Sequence, residues 1–514
     1  MQGFAAIDYA VFAVYMFASV AIGVWFVREQ RTVKDYFLAG QSMNWFVVGI
    51  SVIAALFSGI SYLGAPTEVY KHDMTYPLVL VSFFVATPVT TVIFLPFFYR
   101  LKLYSAYEYF EKRFDLQVRS WASAMFIIRV IFYLALAIYA PALALAEVTR
   151  MPLWFSILLT GLLTTIYTTL GGMKAVIWTD VMQFFVLLGG QLLVAWIAIS
   201  RVPGGWNETI RLADEGGKFA WANFDWSLTA RVTVWGAVIG GIFTNLVQLG
   251  TDQISVQRYL TAKSLKEAQK SLWFKLIVTI PIVMVFYFMG AILFSFYATH
   301  PASLPEELLK KPDRILPFFV INELPRGLPG VLIAAIFAAT MSTVSAGINA
   351  LSTASIMDFY KRNLQAEPEP ERLLRLAKWL TLAYGLLATG AAFLMPLMGT
   401  LIEATNKIMG MLGGPLLGVF LLGMLTKRAN SIGTLLGAFL GSLILAYIIF
   451  QTKVSFMWYA CFGCVITFVL GYLFSLATGR PKPEQVAGLV WQPGSRGEEA
   501  GDKRADTEPT PRVG

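Results

Sequence analysis

The feature that most constrains this chain is the recurrence of apolar runs of about 20 residues along almost its whole length. Each run is long enough to cross a hydrocarbon core about 30 Å thick as an α-helix, whereas barrel strands would alternate over about ten residues. Only 14% of the residues are charged, against about 25% in soluble domains. The sequence therefore predicts an all-α membrane protein.

We predict about thirteen transmembrane helices in a domain that covers residues 1–477. The first run has no positive residue before it and no cleavage site after it, so we interpret it as a retained span. Residues 478–514 are rich in Gly, Pro and charged side chains, which predicts a disordered cytoplasmic tail. The predicted spans are 7–27, 44–68, 75–101, 120–148, 153–171, 176–200, 232–256, 273–298, 328–357, 373–395, 400–425, 431–451 and 454–477.

Lysine and arginine residues are distributed unequally between the two sets of loops. About two thirds of the 40 lie on the side that carries the first loop and the tail, and such an excess marks the cytoplasmic side. We therefore expect the N-terminus outside, the C-terminus inside, and a location in the cell (inner) membrane. The net charge of +9 is interpreted as this bias of the loops rather than as a nucleic-acid surface.

The sequence offers no cluster of residues typical of an enzyme. Both histidines lie in predicted external segments, and no metal-spaced set, phosphate loop or nucleophile motif occurs. Cys461 and Cys464 stand one helical turn apart in an apolar run, where two small apolar residues are favoured over a redox or metal motif. We expect no enzymatic activity and no organic cofactor.

Two predicted spans contain residues that interrupt helices. The second has Gly, Ser and Pro in its outer half. The seventh has glycines and polar residues, among them Gly240, Gly241, Gly250, Thr244, Asn245, Gln248, Asp252 and Gln253. The two spans are five apart, and broken helices at corresponding positions of two halves are typical of the binding site in inverted-repeat transporters. The alternative is that these small residues only allow close helix packing.

A stripe of polar side chains follows the ninth predicted span. Ser342, Ser345 and Asn349 share one helical face, and Thr343 lies on its flank. Hydroxyl and carbonyl oxygens are ligands that a hard cation favours, so the stripe and a broken helix opposite it predict a Na+ site. The alternative is that each hydroxyl bonds a carbonyl of its own helix.

A few charged residues fall within predicted spans, where charge is typical of functional sites. Asp180 lies near the start of the sixth span. Glu403 and Lys407, four residues apart in the eleventh, can pair with each other. Arg129, in the fourth, can pair with a carboxylate, reach lipid phosphates, or contact an anionic solute.

Seven segments, spread over about residues 5–477, resemble the sodium:solute symporter family and follow its order. They are FLAGQSMNW, SYLGAPTEVY, SAYEYFEKRF, AIYAPALAL, GGMKAVIWTDVMQ, DQISVQRYLTAKSLKEAQKS and MSTVSAGINALST. Strings such as LGAPTEVY and GMLGGPLLGVFLLGM are most similar to the branch that carries iodide, vitamins and monocarboxylates. The resemblance implies a LeuT-type five-plus-five inverted repeat, with core repeats at about 44–200 and 232–425, and sodium-coupled import of a small solute by alternating access.

The resemblance also implies a main sodium site at the break of the second span. Its ligands would be three backbone carbonyl oxygens and two hydroxyls. They belong to Ala54, Phe57, Ala339, Ser342 and Thr343.

Some members of the family have a further sodium site, which would use Asp180 and Ser345 here. Ala346 stands where the next hydroxyl of that site is expected. A purely structural role for Asp180 is therefore the alternative.

The solute would lie beside the breaks, with Arg129 as a candidate anion contact. Ser61 and Gln248 differ from the residues of sugar carriers, and Glu403 differs from the Gln of the iodide and monocarboxylate carriers. We expect the solute to be a small organic anion or a sugar acid, with a sugar, a polyol or another neutral solute as the alternative. The implied solute positions are Ser58, Ser61, Tyr62, Tyr133, Asn245, Gln248 and Glu403.

The expected partners are therefore Na+, the solute and the lipid bilayer, with no nucleic acid and no obligate protein partner. A transporter-like membrane sensor is the alternative of another class. Such a sensor normally has a fused signalling domain, for which the tail after residue 477 is too short.

Overall fold

The computed structural model describes residues 4–27, 38–101, 103, 105–170, 173–361 and 369–491. Their secondary structure is helical, and the helices follow the predicted apolar runs. In chain order they are α1 Ala6–Val27, α2 Trp45–Leu56, α3 Gly59–Lys71, α4 Tyr76–Leu101, α5 Glu108–Arg113, α6 Leu116–Thr149, α7 Leu153–Leu170, α8 Met173–Arg201, α9 Gly205–Glu215, α10 Gly236–Thr251, α11 Gln253–Tyr259, α12 Leu265–Thr299, α13 Glu306–Lys310, α14 Ile315–Glu323, α15 Leu328–Tyr360, α16 Pro370–Ala392, α17 Leu401–Leu425, α18 Ser431–Gln451 and α19 Phe456–Ala477.

Several of these helices are suited to crossing a membrane. Within the described ranges, eight are long and apolar enough, and α2 with α3, bent by 61° at their junction, make a ninth. The apolar parts of α1, α7 and α10 are shorter. The all-α membrane class is therefore confirmed, while the count of about thirteen spans stays a prediction.

Helix α15 forms the centre of the bundle, with 94% of its most apolar window buried. It packs against α1, α2, α6 and α8. Its many Ala, Gly, Ser and Thr residues allow neighbouring backbones to approach closely. At Gly347, for example, a Cβ atom would lie 2.5 Å from the Leu134 side chain of α6, so a larger residue there would require Leu134 to move.

Both predicted helix breaks are present. Between α2 and α3, Phe57 is extended with ψ of 91°, and Ser58 follows with ψ of 171°. After α10, Asp252 is extended with ψ of 122°, and its carboxylate caps α11 by accepting from the amide of Ile254 at 3.0 Å. Each break leaves backbone groups free of helical partners, which is the requirement for binding an ion or a polar solute.

The longer connections lie together at the end of the bundle where α3 finishes. Lys218 Nζ donates to the carbonyl oxygen of Tyr70 at 2.8 Å, and Thr67 Oγ1 donates to that of Pro312 at 3.2 Å. We call this end the loop side.

The first part of the predicted tail packs against the other end of the bundle. Leu489 and Val490 are buried, and Tyr109 Oη donates to the carbonyl oxygen of Leu489 at 3.1 Å. The amide of Trp491 donates to the carbonyl oxygen of Met424 at 2.8 Å. The prediction of disorder from residue 478 is therefore wrong for this stretch, and residues 492–514 lie outside the described residues.

Candidate functional site

The break between α2 and α3 lies against the middle of α15. Thr343 Oγ1 donates to the carbonyl oxygen of Ala55 at 3.1 Å and to that of Ala339 at 3.2 Å. This hydroxyl therefore joins α15 to the last turn of α2. It is the place at which the sequence predicts the main sodium ligands.

The other predicted ligands surround this contact. Ser342 Oγ is buried, and none of the described residues gives it a hydrogen-bond partner. The carbonyl oxygen of Ala54 accepts from the amide of Phe57 at 3.2 Å, which leaves it a second lone pair. The oxygen types match the preference of a hard cation, and the identity of the ligands stays a prediction.

Asp180 is held in a buried ion pair. Its Oδ2 lies 3.0 Å from Arg258 Nη2 and accepts from Ser51 Oγ at 2.5 Å. Its Oδ1 has no hydrogen-bond partner in the described part of the chain, and Ser342 is adjacent. Ser345 Oγ donates instead to the carbonyl oxygen of Ser342 at 3.1 Å. The geometry therefore gives Asp180 a structural partner and does not bring Ser345 to it.

A cavity of about 180 Å³ lies beside the break on the side away from α15 and reaches α4, α10, α12 and α17. Apolar and aromatic side chains form most of its wall. Three of the predicted solute positions, Ser61, Asn245 and Gln248, line it. The polar lining residues are Ser61, Thr244, Asn245, Gln248, Lys275, Thr279, Thr405 and Asn406.

Lys275 of α12 is the charged residue of this lining. It is 1% exposed, and Nζ has no hydrogen-bond partner among the described residues. Nζ lies 3.8 Å from the centroid of the Phe83 ring, a cation–π contact. Ionising a buried amine without a counter-ion is costly, so an anion in the cavity would stabilise the charged form of Lys275.

The remaining solute predictions fall elsewhere. Ser58 occupies the N-cap position of α3 without a side-chain capping hydrogen bond and lies within hydrogen-bonding reach of Tyr133, at the break but outside the cavity lining. The Tyr62 ring packs edge-on against Phe286, with centroids 5.1 Å apart. Its hydroxyl faces Gly190 of α8 and has no hydrogen-bond partner within the described ranges. These three residues support the wall rather than line the cavity.

Glu403 is also displaced from the cavity. Its Oε1 lies 3.4 Å from Arg231 Nε, on the loop side. Asn406, one turn deeper in α17, lines the cavity and donates to Tyr76 Oη at 2.8 Å. Lys407 does not complete the suggested pair with Glu403, since its Nζ donates to the carbonyl oxygen of Met398 at 3.3 Å.

Arg129 is neutralised at the other end of the cavity. It is fully buried, and its Nη2 lies 2.9 Å from Asp252 Oδ2 at the break after α10. Its Nη1 lies 2.9 Å from the sulfur of Met409, which lines the cavity. Of the three roles considered for Arg129, pairing with a carboxylate is the one observed.

The model of the sodium:solute symporter family matches residues 36–441. Sodium-coupled monocarboxylate transporter 1 of Mus musculus is 38% identical over 439 residues, which cover 84% of this chain and 71% of that protein. The sodium/sialic acid symporter NanT of Aliivibrio fischeri is 34% identical over 480 residues, covering 92% and 93% of the two chains.

Among solved structures, a Na+-coupled sialic acid symporter in a substrate-bound outward-open state superposes with a TM-score of 0.86 at 32% identity, covering 93% of this chain and 99% of that one. The nucleobase-cation-symport-1 family transporter Mhp1 shares the fold alone, with a TM-score of 0.56 at 13% identity, over 88% and 97% of the chains. The family match, the relatives and the superposition agree, and the chain belongs to the sodium:solute symporter family as a sodium-coupled solute symporter.

Proposed function

We propose that the solute is a small organic anion whose carboxylate pairs with Lys275 during sodium-coupled import. The observation that carries this proposal is the unpaired ammonium in the cavity wall. A solute carboxylate would give Lys275 the counter-ion that the described residues do not supply. The side chains of Ser61, Gln248 and Asn406 would then bind the remaining polar atoms of the solute.

Two kinds of organic acid are carried by relatives of this chain, and the cavity favours the smaller. Its volume of about 180 Å³ lies below the range of roughly 300–1,000 Å³ usual for drug-sized ligands. Monocarboxylates are therefore our first candidates. Sialic acid is the second, supported by the relatives that carry it. A neutral sugar or polyol would leave Lys275 without a counter-ion.

We infer that Na+ binds at the break beside α15, through the oxygens of Ala54, Phe57, Ala339, Ser342 and Thr343. Bound Na+ would hold α2 against α15 and so fix one wall of the solute cavity. Two ligands that stabilise the same arrangement raise each other's affinity, typically by 1–3 kcal/mol. That coupling would allow the sodium gradient to drive solute accumulation.

The transport cycle would be alternating access between core repeats at about 44–200 and 232–425, with the loop side outside. The lysine and arginine bias of the loops supports this orientation. The two helix breaks, five predicted spans apart, support the inverted repeat. We place the protein in the cell membrane on the same grounds.

The proposal is tested by uptake into proteoliposomes with an imposed sodium gradient. The panel would contain radiolabelled monocarboxylates, sialic acid, neutral sugars and polyols. We expect sodium-dependent accumulation of a carboxylate. We also expect Lys275→Met to reduce uptake at low solute concentration by at least about tenfold, because a charge-assisted contact is lost.

Lys270→Met is the matched control. Lys270 lies on the same helix but is exposed and paired with Glu267 at 3.3 Å, so its loss should leave uptake unchanged. Accumulation of neutral solutes alone, or equal uptake by Lys275→Met and the parent, would contradict the organic-anion proposal while leaving sodium coupling intact.

A further inference from the structure

The loop-side end of the cavity is crossed by three charged side chains from separate elements. Arg231 precedes α10, Glu68 lies in α3, and Glu403 lies in α17. Arg231 Nη1 and Nη2 contact the two oxygens of Glu68 at 2.5 and 2.8 Å. The other edge of the guanidinium, Nε and Nη2, lies 3.4 and 3.5 Å from Glu403 Oε1.

These residues lie at the loop-side rim of the cavity. Glu68 lies three residues after Ala65, and Glu403 follows Ile402; both Ala65 and Ile402 line the cavity. With a rise of about 1.5 Å per residue, Glu68 lies about 4.5 Å beyond Ala65 along α3, whereas Glu403 is level with Ile402 at the loop-side end of the lining. On the route that we consider, a solute that reaches the cavity from the loop side passes between α3, α17 and the segment that holds Arg231.

Arg231 is fixed in place by further contacts. Its carbonyl oxygen accepts from Ser455 Oγ at 2.5 Å, and its guanidinium lies 5.5 Å from the centroid of the Phe456 ring. Glu68 is only 4% exposed at its side chain, so its carboxylate depends on Arg231 for its charge partner. One guanidinium thus ties α3, α17 and the start of α19 to the segment before α10.

We propose that Arg231, Glu68 and Glu403 form an ion-pair lock that closes the loop-side mouth of the cavity. The lock rests on the orientation and the solute route proposed above. Its two halves differ in strength: the Glu68 contact is bidentate and largely buried, whereas the Glu403 contact is long and a quarter exposed. Glu403 therefore separates first when the mouth opens, and the Arg231–Glu68 pair sets the rate of opening.

The test measures access to the cavity and needs neither a known solute nor sodium transport. A reporter cysteine is introduced by Ala65→Cys in a background carrying Cys461→Ala and Cys464→Ala. Its reaction with a charged, membrane-impermeant thiol reagent is followed with reagent on one side of the proteoliposome at a time. Glu68→Gln and Glu403→Gln are compared with Arg211→Gln, which removes an exposed arginine paired with two carboxylates on the loop side.

We expect Glu68→Gln to accelerate labelling from the outside by about tenfold, because a buried partner of a charge pair is lost. Glu403→Gln should accelerate it by about threefold, as for an exposed pair, and Arg211→Gln should have no effect. Arg231→Lys keeps the positive charge but loses the forked geometry of the guanidinium, so its labelling rate should lie between those of the parent and Glu68→Gln. Thermal unfolding of each variant verifies that it is folded.

Three results would overturn the lock. One is parental labelling rates in both Glu68→Gln and Glu403→Gln. Another is equal acceleration by Arg211→Gln, which would indicate a general charge effect. The third is acceleration from the cytoplasmic side alone, which would refute its assignment to the outer mouth. If Glu68→Gln does not fold, the labelling rates of Glu403→Gln and Arg231→Lys test the lock, and parental rates in both variants would refute it.

Discussion

At the scale of single residues, the two cations nearest the cavity have opposite roles. Arg129, singled out by its position inside a span, is neutralised by Asp252 at 2.9 Å. Lys275 is absent from the predicted site because it lies only two residues into the span predicted from residue 273 and is counted with the basic residues of the preceding cytoplasmic loop. The helix starts instead at Leu265, which carries Lys275 into the bundle. Hydropathy locates a span but not the depth at which its first charge lies.

The two hydroxyls of the sodium site should respond differently to removal. Ser342→Ala deletes an oxygen that has no partner among the described residues, so we expect a higher Na+ concentration for half-maximal uptake and an unchanged melting temperature. Thr343→Ala also breaks the hydrogen bonds to the carbonyl oxygens of Ala55 and Ala339. We expect this loss to lower the free energy of unfolding by about 0.5–1.5 kcal/mol. Sodium titration of uptake and thermal unfolding measure the two effects.

Thr343→Ser is the control, since it keeps the hydroxyl and should retain sodium affinity. Unchanged sodium dependence in both alanine variants would remove these hydroxyls from the site.

At the scale of elements, the breaks were predictable because glycine, proline and polar residues in an apolar run weaken a helix. Their exact position was not: Pro66 and Gly64 lie within α3, and the chain turns earlier, at Phe57. Glu403 and Asn406 illustrate the same limit. They lie about 60° apart around α17 but three residues apart in depth, and only Asn406 reaches the cavity. A sequence pattern shows which face of a helix a residue occupies more readily than how deep in the bundle that residue lies.

The turn Pro312–Arg314 docks on the loop side through a carboxyl that titrates. The amide of Leu401, at the start of α17, donates to Asp313 Oδ2 at 3.3 Å. Burial raises the pKa of Asp313 to about 6. The unfolded chain loses this proton at lower pH, so the contribution of Asp313 to stability falls as pH rises from about 4 to 6.

Asp313→Asn should therefore stabilise the protein at pH 7 by about 1–3 kcal/mol and remove part of its pH dependence between pH 4 and 6. Thermal unfolding in detergent at several pH values measures this. Asp225→Asn, which changes an exposed loop-side carboxylate, should leave the dependence of stability on pH unchanged. A parallel downward shift of the Asp313→Asn curve at every pH would show that the carboxyl is ionised in the folded protein.

At the scale of the whole molecule, buried charges are mostly paired across helices. Arg119 contacts Asp358 at 2.6 Å, and Arg258 contacts Asp180 at 3.0 Å. Lys275 differs because its partner is proposed to be the solute. With Asp180 already paired, one Na+ would accompany one anion.

We therefore expect uptake of a monovalent anion to be electroneutral. A potassium diffusion potential of either sign across the proteoliposome membrane should leave the initial rate unchanged at a fixed sodium gradient. Acceleration by an inside-negative potential would indicate that a second Na+ is carried, and Asp180 Oδ1, which lacks a partner in the described part of the chain, would be the first candidate ligand.

The unpaired ammonium of Lys275 also bears on how the carrier resets. Once solute and Na+ have left, Lys275 has no counter-ion among the described residues, and a buried charge without a partner is costly. A carrier that picks up another anion avoids this cost, so homoexchange across the membrane would run faster than net flux, and preloading vesicles with solute would stimulate entry.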